Sequence, residues 1–349
     1  MHQIKNLHIR ITSKCNFNCA HCYAGDWLHD NCELDLSTLI SVIDQACDLG
    51  CEEVTFTGGE PLLSQHLIPA IEHCIGSGLE VEIETNGVLL DQFIINAKKH
   101  LKYIHFEVSY DGDLMRNAQH TDRVLGNIEK LADLSCSVRV QTVLTFINID
   151  EAYKIFDFSK KLGIKNRVFL SHSTNGNAKN LPLLPTKKWL KIVRDLKTKY
   201  SHLTIELPEL FTGTNNKSCG WGYSRCELMP NGDITSCAPI TFNKRDFVAG
   251  NIREKPLEEL WNHLHFKKIR ELTQADFHGL CAKCPYWKTC KGACRSMAFG
   301  SSGDILAAHP FCVAFYEEAS STMDGSTIDD LNKTAKEWLL AVKPDNPLR

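Results

Sequence analysis

The sequence predicts an α/β fold, a partial (β/α)6 barrel that gives way to a loop-rich, cysteine-rich C-terminal region. Short β-branched runs alternate with helix-length amphipathic runs up to about residue 200. Six such β–α units in succession imply a parallel sheet with right-handed crossovers. The cysteines divide the chain: of 16, none lies between 137 and 218, and eight lie between 219 and 312.

Strands are expected at Leu7–Thr12, Glu53–Thr57, Leu79–Glu84, Tyr103–Ser109, Ser137–Thr145 and Arg167–His172. Helices are expected at Leu36–Leu49, Leu62–Ser77, Leu90–His100, Arg123–Leu134, Asp150–Leu162 and Thr186–Tyr200. Asp35 or Ser37 can cap the first helix and Asp150 the fifth. The expected organisation is a barrel over 1–200, a linker over 201–215, a cysteine-rich domain over 216–325 and a helix and tail over 326–349. The last is amphipathic, with Leu331, Trp338, Leu339 and Leu340, and docking onto its own barrel is its expected role.

The 349 residues suffice for two hydrophobic cores, and 43% hydrophobic with 23% charged residues is ordinary for a globular chain. A net charge of −3, from 39 basic and 42 acidic residues, gives no nucleic-acid footprint. No apolar run approaches the ~20 residues of a membrane span. Met1-His2-Gln3-Ile4-Lys5 leads straight into a strand pattern, so no secretory signal is expected and the location expected is cytoplasmic. In a reducing compartment so many cysteines read as metal binding rather than as disulfides.

Cys15, Cys19 and Cys22 form a C-x3-C-x2-C run just after the first expected strand. Three thiolates can hold three irons of a [4Fe–4S] cube and leave the fourth iron open to a small molecule. On spacing alone, a zinc knuckle or buried free thiols remain alternatives. Gly58-Gly59-Glu60-Pro61 follows strand two; its glycines allow close backbone approach and Glu60 offers an acceptor for an ammonium group. An ordinary strand-to-helix turn is the other reading. Thr85-Asn86-Gly87 follows strand three and Ser109-Tyr110-Asp111-Gly112 closes strand four. Asn-Gly is a strong turn signal by itself. Thr142 and Asn148 are weaker candidates after strand five.

The cysteine spacing resembles that of the radical S-adenosylmethionine (radical SAM) enzymes, and Gly58-Gly59-Glu60-Pro61 resembles the family's GGEP motif. The resemblance implies a partial TIM-like (β/α)6 barrel in which Cys15, Cys19 and Cys22 hold a [4Fe–4S] cluster. Its open iron chelates S-adenosyl-L-methionine, and one-electron reduction releases a 5′-deoxyadenosyl radical. It implies cofactor contacts from Gly58, Gly59, Glu60 and Pro61 to the amino group, and from Thr85, Asn86 and Ser109 to the carboxylate or ribose. His21 matches a position where relatives often carry an aromatic near the adenine, with simple packing as the other reading. Asp111 is expected to point towards the substrate.

Cys281, Cys284, Cys290 and Cys294 read C-x2-C-x5-C-x3-C; Gly232 stands ahead of Cys237, and Cys312 follows alone. This resembles the SPASM domain found C-terminal to many radical SAM enzymes. By resemblance, auxiliary site I takes Cys219, Cys226, Cys237 and Cys294, and site II takes Cys281, Cys284, Cys290 and Cys312, making three [4Fe–4S] clusters in all. Structural zinc is the alternative. Fully ligated auxiliary clusters would accept the electron left on a substrate radical, which favours a net oxidation.

The leading expectation is a radical SAM oxidoreductase that cross-links or dehydrogenates a ribosomally made peptide, reduced by a flavodoxin- or ferredoxin-type donor. The second is a dehydrogenase or epimerase of a small molecule such as an aminoglycoside or cofactor precursor; the short chain, with no room for a leader-recognition domain before the first strand, favours it. Ala238, where sulfatase-maturing relatives carry an acidic base, weakens that specific reading. An epimerase would need a thiol to return a hydrogen atom, and Cys32 is the candidate. A non-catalytic zinc or electron-carrier protein is the third class.

Overall fold

A computed structural model describes residues 2–116, 118–170, 176–182, 186–212, 219–241 and 245–322. The expected helix over 326–349 lies outside them. Six β–α units run in order: β1 (Asn6–Thr12), α1 (Leu36–Asp48), β2 (Glu53–Gly58), α2 (Leu67–Gly76), β3 (Glu80–Thr85), α3 (Leu90–Asn96), β4 (Ile104–Ser109), α4 (Thr121–Asp133), β5 (Ser137–Leu144), α5 (Ile149–Leu162), β6 (Lys165–Leu170) and α6 (Thr186–Lys199). Neighbouring strands pair in parallel from β1 to β6. Asp35 caps α1, its carboxylate accepting from Thr38 N at 2.9 Å. Asp150 does not cap α5: it sits inside the first turn, and Asn148 is the N-cap residue. The expected second helix is broken, because Pro61–Leu63 forms a separate 3-10 turn ahead of α2.

The sheet does not stop at six strands. The stretch expected as a linker contains β7 (Leu203–Ile205), parallel to β6. At the other edge β8 (Arg225–Leu228) lies parallel to β1, followed by antiparallel β9 (Asp233–Thr235) and β10 (Val248–Asn251). One ten-stranded sheet therefore runs β10-β9-β8-β1-β2-β3-β4-β5-β6-β7. The cysteine-rich region is loop-rich, as expected, but is stitched into the barrel sheet.

Period-two alternation assigns the two faces. Leu7, Ile9 and Ile11 of β1 join Val54, Phe56, Val81, Ile83, Phe106 and Val108 in the core beneath the helices. The opposite face is polar, with His8 and Arg10 on β1, Thr57 on β2, Glu84 on β3 and Ser109 on β4. All of these line a single cavity of about 470 Å³, so the sheet gives that chamber its polar side. Among the described residues no helix is long and apolar enough to cross a membrane.

Candidate active site

The cysteine run lies on a loop closed at its base by two hydrogen bonds: Ser13 N donates to Cys32 O at 2.9 Å, and Cys32 N to Ser13 Oγ at 2.8 Å. Within the loop Cys22 N donates to Cys19 O. Asn177 braces it from outside, donating from Nδ2 to Cys19 O at 3.0 Å and from its backbone N to Cys22 O at 2.8 Å. Cys15, Cys19 and Cys22 all line the cavity. Burial pushes the Cys15 thiol up to about 12 and Cys19 to about 11, the latter opposed by the Arg116 charge. Metal binding there must release protons. Thiolate-only donor sets suit iron–sulfur clusters or zinc rather than hard cations, so the residues fit the group the motif implies.

The two glycines after β2 are required by close approach. A Cβ on Gly59 would stand 2.1 Å from Lys14 O, and Gly58, at φ +150°, would put one 2.4 Å from Thr12 O. Gly59 N and Glu60 N donate to Thr12 O and Lys14 O, clamping this turn onto the cysteine loop. Glu60 itself faces away from the chamber. Its carboxylate is 1% exposed and accepts from Thr85 Oγ1 (2.7 Å), Asn86 N (2.8 Å) and Leu62 N (3.0 Å). Burial raises its pKa, and these bonds oppose the rise. Gly58, Gly59, Thr85, Asn86 and Ser109 line the cavity; Glu60 and Pro61 do not. Glu60, expected at a cofactor ammonium, holds Thr85 and Asn86 through its carboxylate. Asn86 in turn donates to Asn16 Oδ1 at 2.7 Å, tying strand three to the cysteine loop.

Asp111 lies just past the end of β4. It is fully buried, and Arg116 Nε, His21 Nε2 (3.2 Å) and Val143 N share its two oxygens. Burial would raise its pKa, but Arg116 and then His21 hold it well below the usual carboxylate range. It ties the cysteine loop to the end of β4 and lines the chamber as well. His21 is thereby a partner of Asp111, with its Nδ1 unpartnered among the described residues. Thr142 and Asn148 serve the backbone, donating to Tyr110 O and to Asp111 O and Val143 O.

Cys32 does not line the cavity. Its backbone closes the loop and its Sγ stands 3.6 Å from Asp30 O. C32A is expected to leave S-adenosylmethionine cleavage and the product's stereochemistry unchanged, checked by chromatography of 5′-deoxyadenosine and chiral analysis of the product.

Sequence reasoning missed the charged floor. Arg10, Glu84, Arg167, Glu206, Arg225 and Glu227 line the same chamber. Arg167 spans Glu206 at 2.8 Å and Glu107 at 3.4 Å, and Arg10 reaches Glu227 at 3.4 Å. Glu82, Glu84 and Glu107 lie close together; burial and the mutual charge raise Glu82 and Glu107, whereas the His8 charge pulls Glu84 down against burial. The signal was present as alternation: His8, Arg10 and Thr12, then Thr55 and Thr57, then Glu82 and Glu84 occupy every second position of strands otherwise apolar.

The C-terminal cysteines fall into two groups. Burial drives Cys312 well above the thiol range, with Cys290, Cys281 and Cys284 adding to the rise. Burial does the same to Cys237, with Cys294 and Cys219 among its neighbours. Cys219, Cys237 and Cys294 line the same chamber as the N-terminal run. Arg295, buried and bonded to Ile305 O and Ala307 O, lies within reach of the charges of Cys281, Cys294, Cys290 and Cys312. Cys226 joins neither group. It is fully buried in the barrel core, among the charges of Glu227, Arg270 and Cys51. Alternation along β8 explains this: Arg225 and Glu227 face the chamber, so Cys226 and Leu228 face the core.

Comparison with known proteins agrees with this arrangement. Residues 9–159 match the family described as the radical SAM superfamily, and residues 219–285 match an iron-sulfur cluster-binding domain, SPASM. The chain is 26% identical to an AdoMet-dependent heme synthase of Methanosarcina barkeri, covering 87% of this chain and 94% of that one. It is 25% identical to the mycofactocin maturase MftC of Mycolicibacterium smegmatis, covering 87% and 81%. Streptococcus suis SuiB, solved with its precursor peptide SuiA, superposes with a TM-score of 0.72 at 19% identity over 88% of this chain and 75% of that one.

Proposed function

Because the chain belongs to the radical SAM superfamily and carries a SPASM iron–sulfur domain, we propose that it oxidises a ribosomally made peptide by removing two hydrogens, one from each of the two positions joined in a cross-link or both from neighbouring atoms of one side chain in a dehydrogenation. The observation that carries this is the shared chamber: Cys15, Cys19 and Cys22 line the same cavity as Cys219, Cys237 and Cys294 and the charged residues of the sheet. Cys15, Cys19 and Cys22 would hold the cluster that binds S-adenosylmethionine, and Cys281, Cys284, Cys290 and Cys312 one auxiliary cluster. When bound, these groups would supply a hydrogen-abstracting 5′-deoxyadenosyl radical and an electron acceptor.

The balance is that of a two-electron oxidation. With both groups in place, one substrate hydrogen would leave as an atom to the 5′-deoxyadenosyl radical and the second as a proton, and the remaining electron would need an acceptor such as the auxiliary sites. A flavodoxin- or ferredoxin-type protein supplies the electron that starts each turnover. Gly58, Gly59, Thr85, Asn86 and Ser109 position the cofactor. His21, held by Asp111, fixes the loop that shields it. The peptide reading rests on the maturase relative and on the peptide bound to the structural relative. The heme synthase relative and the arginines of the floor favour a second reading, a small acidic molecule.

Anaerobic co-expression with short peptides encoded beside the gene, in ordinary and heavy water, tests this by mass. Loss of two hydrogens is the expected result. Gain of one deuterium without other change would mean epimerisation and overturn the oxidation. No change on any peptide, from enzyme that still cleaves S-adenosylmethionine, would move the assignment to the small molecule.

A further inference from the structure

An oxidation that removes two hydrogens releases one of them as a proton, and the chamber needs a group to carry it away. The four carboxylates that line it among the described residues are already engaged: Glu84 by His8 at 3.5 Å, Glu206 by Arg167 at 2.8 Å, Glu227 by Arg10 at 3.4 Å and Asp111 by Arg116. A carboxylate beside a cation is a weak proton acceptor.

Ser236 offers an uncharged route. It follows β9, is 2% exposed and lines the same chamber. Trp221 Nε1 donates to Ser236 Oγ at 3.1 Å, and His265 Nε2 lies 2.8 Å from the same oxygen. An indole N–H can only donate, so it occupies one lone pair of the hydroxyl. All three groups are satisfied when the hydroxyl hydrogen points at His265 Nε2 and the imidazole carries its own hydrogen on Nδ1. Burial, and then the charge of His263, lower the His265 pKa to about 4, so the ring is neutral at pH 7 and a proton that reaches it does not stay. The ring is fixed edge-on against Phe247, 5.6 Å away at 89°, and lies 5.2 Å from Phe266 at 65°. His265 is half-buried in the helix Leu264–Glu271, next to the exposed His263 and Leu264. The pair therefore runs from the chamber wall towards the surface.

We propose that Ser236 and His265 form a proton exit from the chamber, oriented by Trp221. This rests on the oxidation reading above. As the substrate radical gives its electron to an iron–sulfur acceptor, the proton leaving the substrate passes to Ser236 Oγ. The Ser236 hydrogen crosses to His265 Nε2, and the Nδ1 hydrogen goes to water. Rotation of the hydroxyl and exchange of the imidazole hydrogen with water reset the pair.

The test uses the full chain loaded with iron and sulfide. Neutron diffraction from crystals in heavy water is expected to show a deuteron on His265 Nδ1, none on Nε2, and the Ser236 deuteron directed at Nε2. A deuteron on Nε2 would overturn the relay. Turnover supplies the second readout, on the molecule that loses two hydrogens in the mass test. H265Q keeps a hydrogen bond to Ser236 but cannot pass a proton on. Both H265Q and H265A are expected to lower product per 5′-deoxyadenosine by about 100-fold, with iron content and circular dichroism unchanged. Imidazole added to H265A is expected to restore product, and more basic imidazoles to restore more; S236A is not restored, whereas S236T keeps its product. Wild-type product in H265Q would make His265 a positioning residue only and overturn the proposal. A loss in H265A that no imidazole restores would overturn it too. Loss of two hydrogens from no molecule would overturn the oxidation reading and this inference together, whereas the neutron result bears on the relay alone.

Discussion

Replacing Asp111 with Asn is expected to destabilise the fold by about 3–5 kcal/mol, the cost of removing one partner from a buried ion pair. Asp111 is fully buried and is shared by Arg116, His21 and the Val143 amide. An amide in its place accepts fewer of these bonds and leaves the Arg116 guanidinium buried without its counter-charge. Urea denaturation at neutral pH measures the loss. Combining D111N with R116M is expected to recover part of it, because removing both charges costs less than removing one. The sign of the pH dependence follows from the depressed carboxyl. The stabilisation is fully present above the ordinary aspartate value of about 3.9 and is lost as pH falls through the lower value of the folded state. D111N should lack that part of the acid limb. A change below about 1 kcal/mol, typical of an exposed ion pair, would contradict the anchoring role.

The second large effect is an uncoupling. C312S is expected to abolish product while 5′-deoxyadenosine is still made from S-adenosylmethionine. Cys312 lies with Cys281, Cys284 and Cys290, and it is not among the residues lining the chamber proposed for hydrogen abstraction. Its loss removes the electron sink without touching the radical source. Quantifying 5′-deoxyadenosine and product in the same anaerobic reaction checks this, with the substrate found by mass. Product at the wild-type level would mean that the oxidation needs no auxiliary acceptor. Circular dichroism of the variant controls for folding, since Cys312 packs against the core around Trp189, Phe211 and Phe315.

The six β–α units and the placing of the motifs at strand ends were legible because each strand contributes an apolar face that must meet a helix. The seventh strand was not, because Leu203–Ile205 has only three residues and gives no periodicity of its own. Nor was the continuation of the sheet into the cysteine-rich region, since Arg225–Leu228 shows only two positions per face. That shortness is also why Cys226 was misplaced. Cysteine spacing says which thiols are near in sequence, and only the strand register says which face they take. The partners that hold Glu60 and Asp111 were hidden for a related cause. A carboxylate in a motif reads as available, but whether it is free depends on neighbours far along the chain, here Thr85 and Asn86 for one and His21 and Val143 for the other. The polar chamber was written in alternate positions of β1 to β4 and was passed over, because attention to the apolar half of the pattern ignores what the other half faces.

The most direct measurement is the yield of 5′-deoxyadenosine from S-adenosylmethionine in iron-loaded enzyme under strong reduction, with C22A beside it and iron and zinc counted in both. The account predicts formation of 5′-deoxyadenosine by the native protein, its loss in C22A, and about four fewer irons per chain in that variant. Zinc in place of iron, or 5′-deoxyadenosine formed equally by C22A, would contradict it.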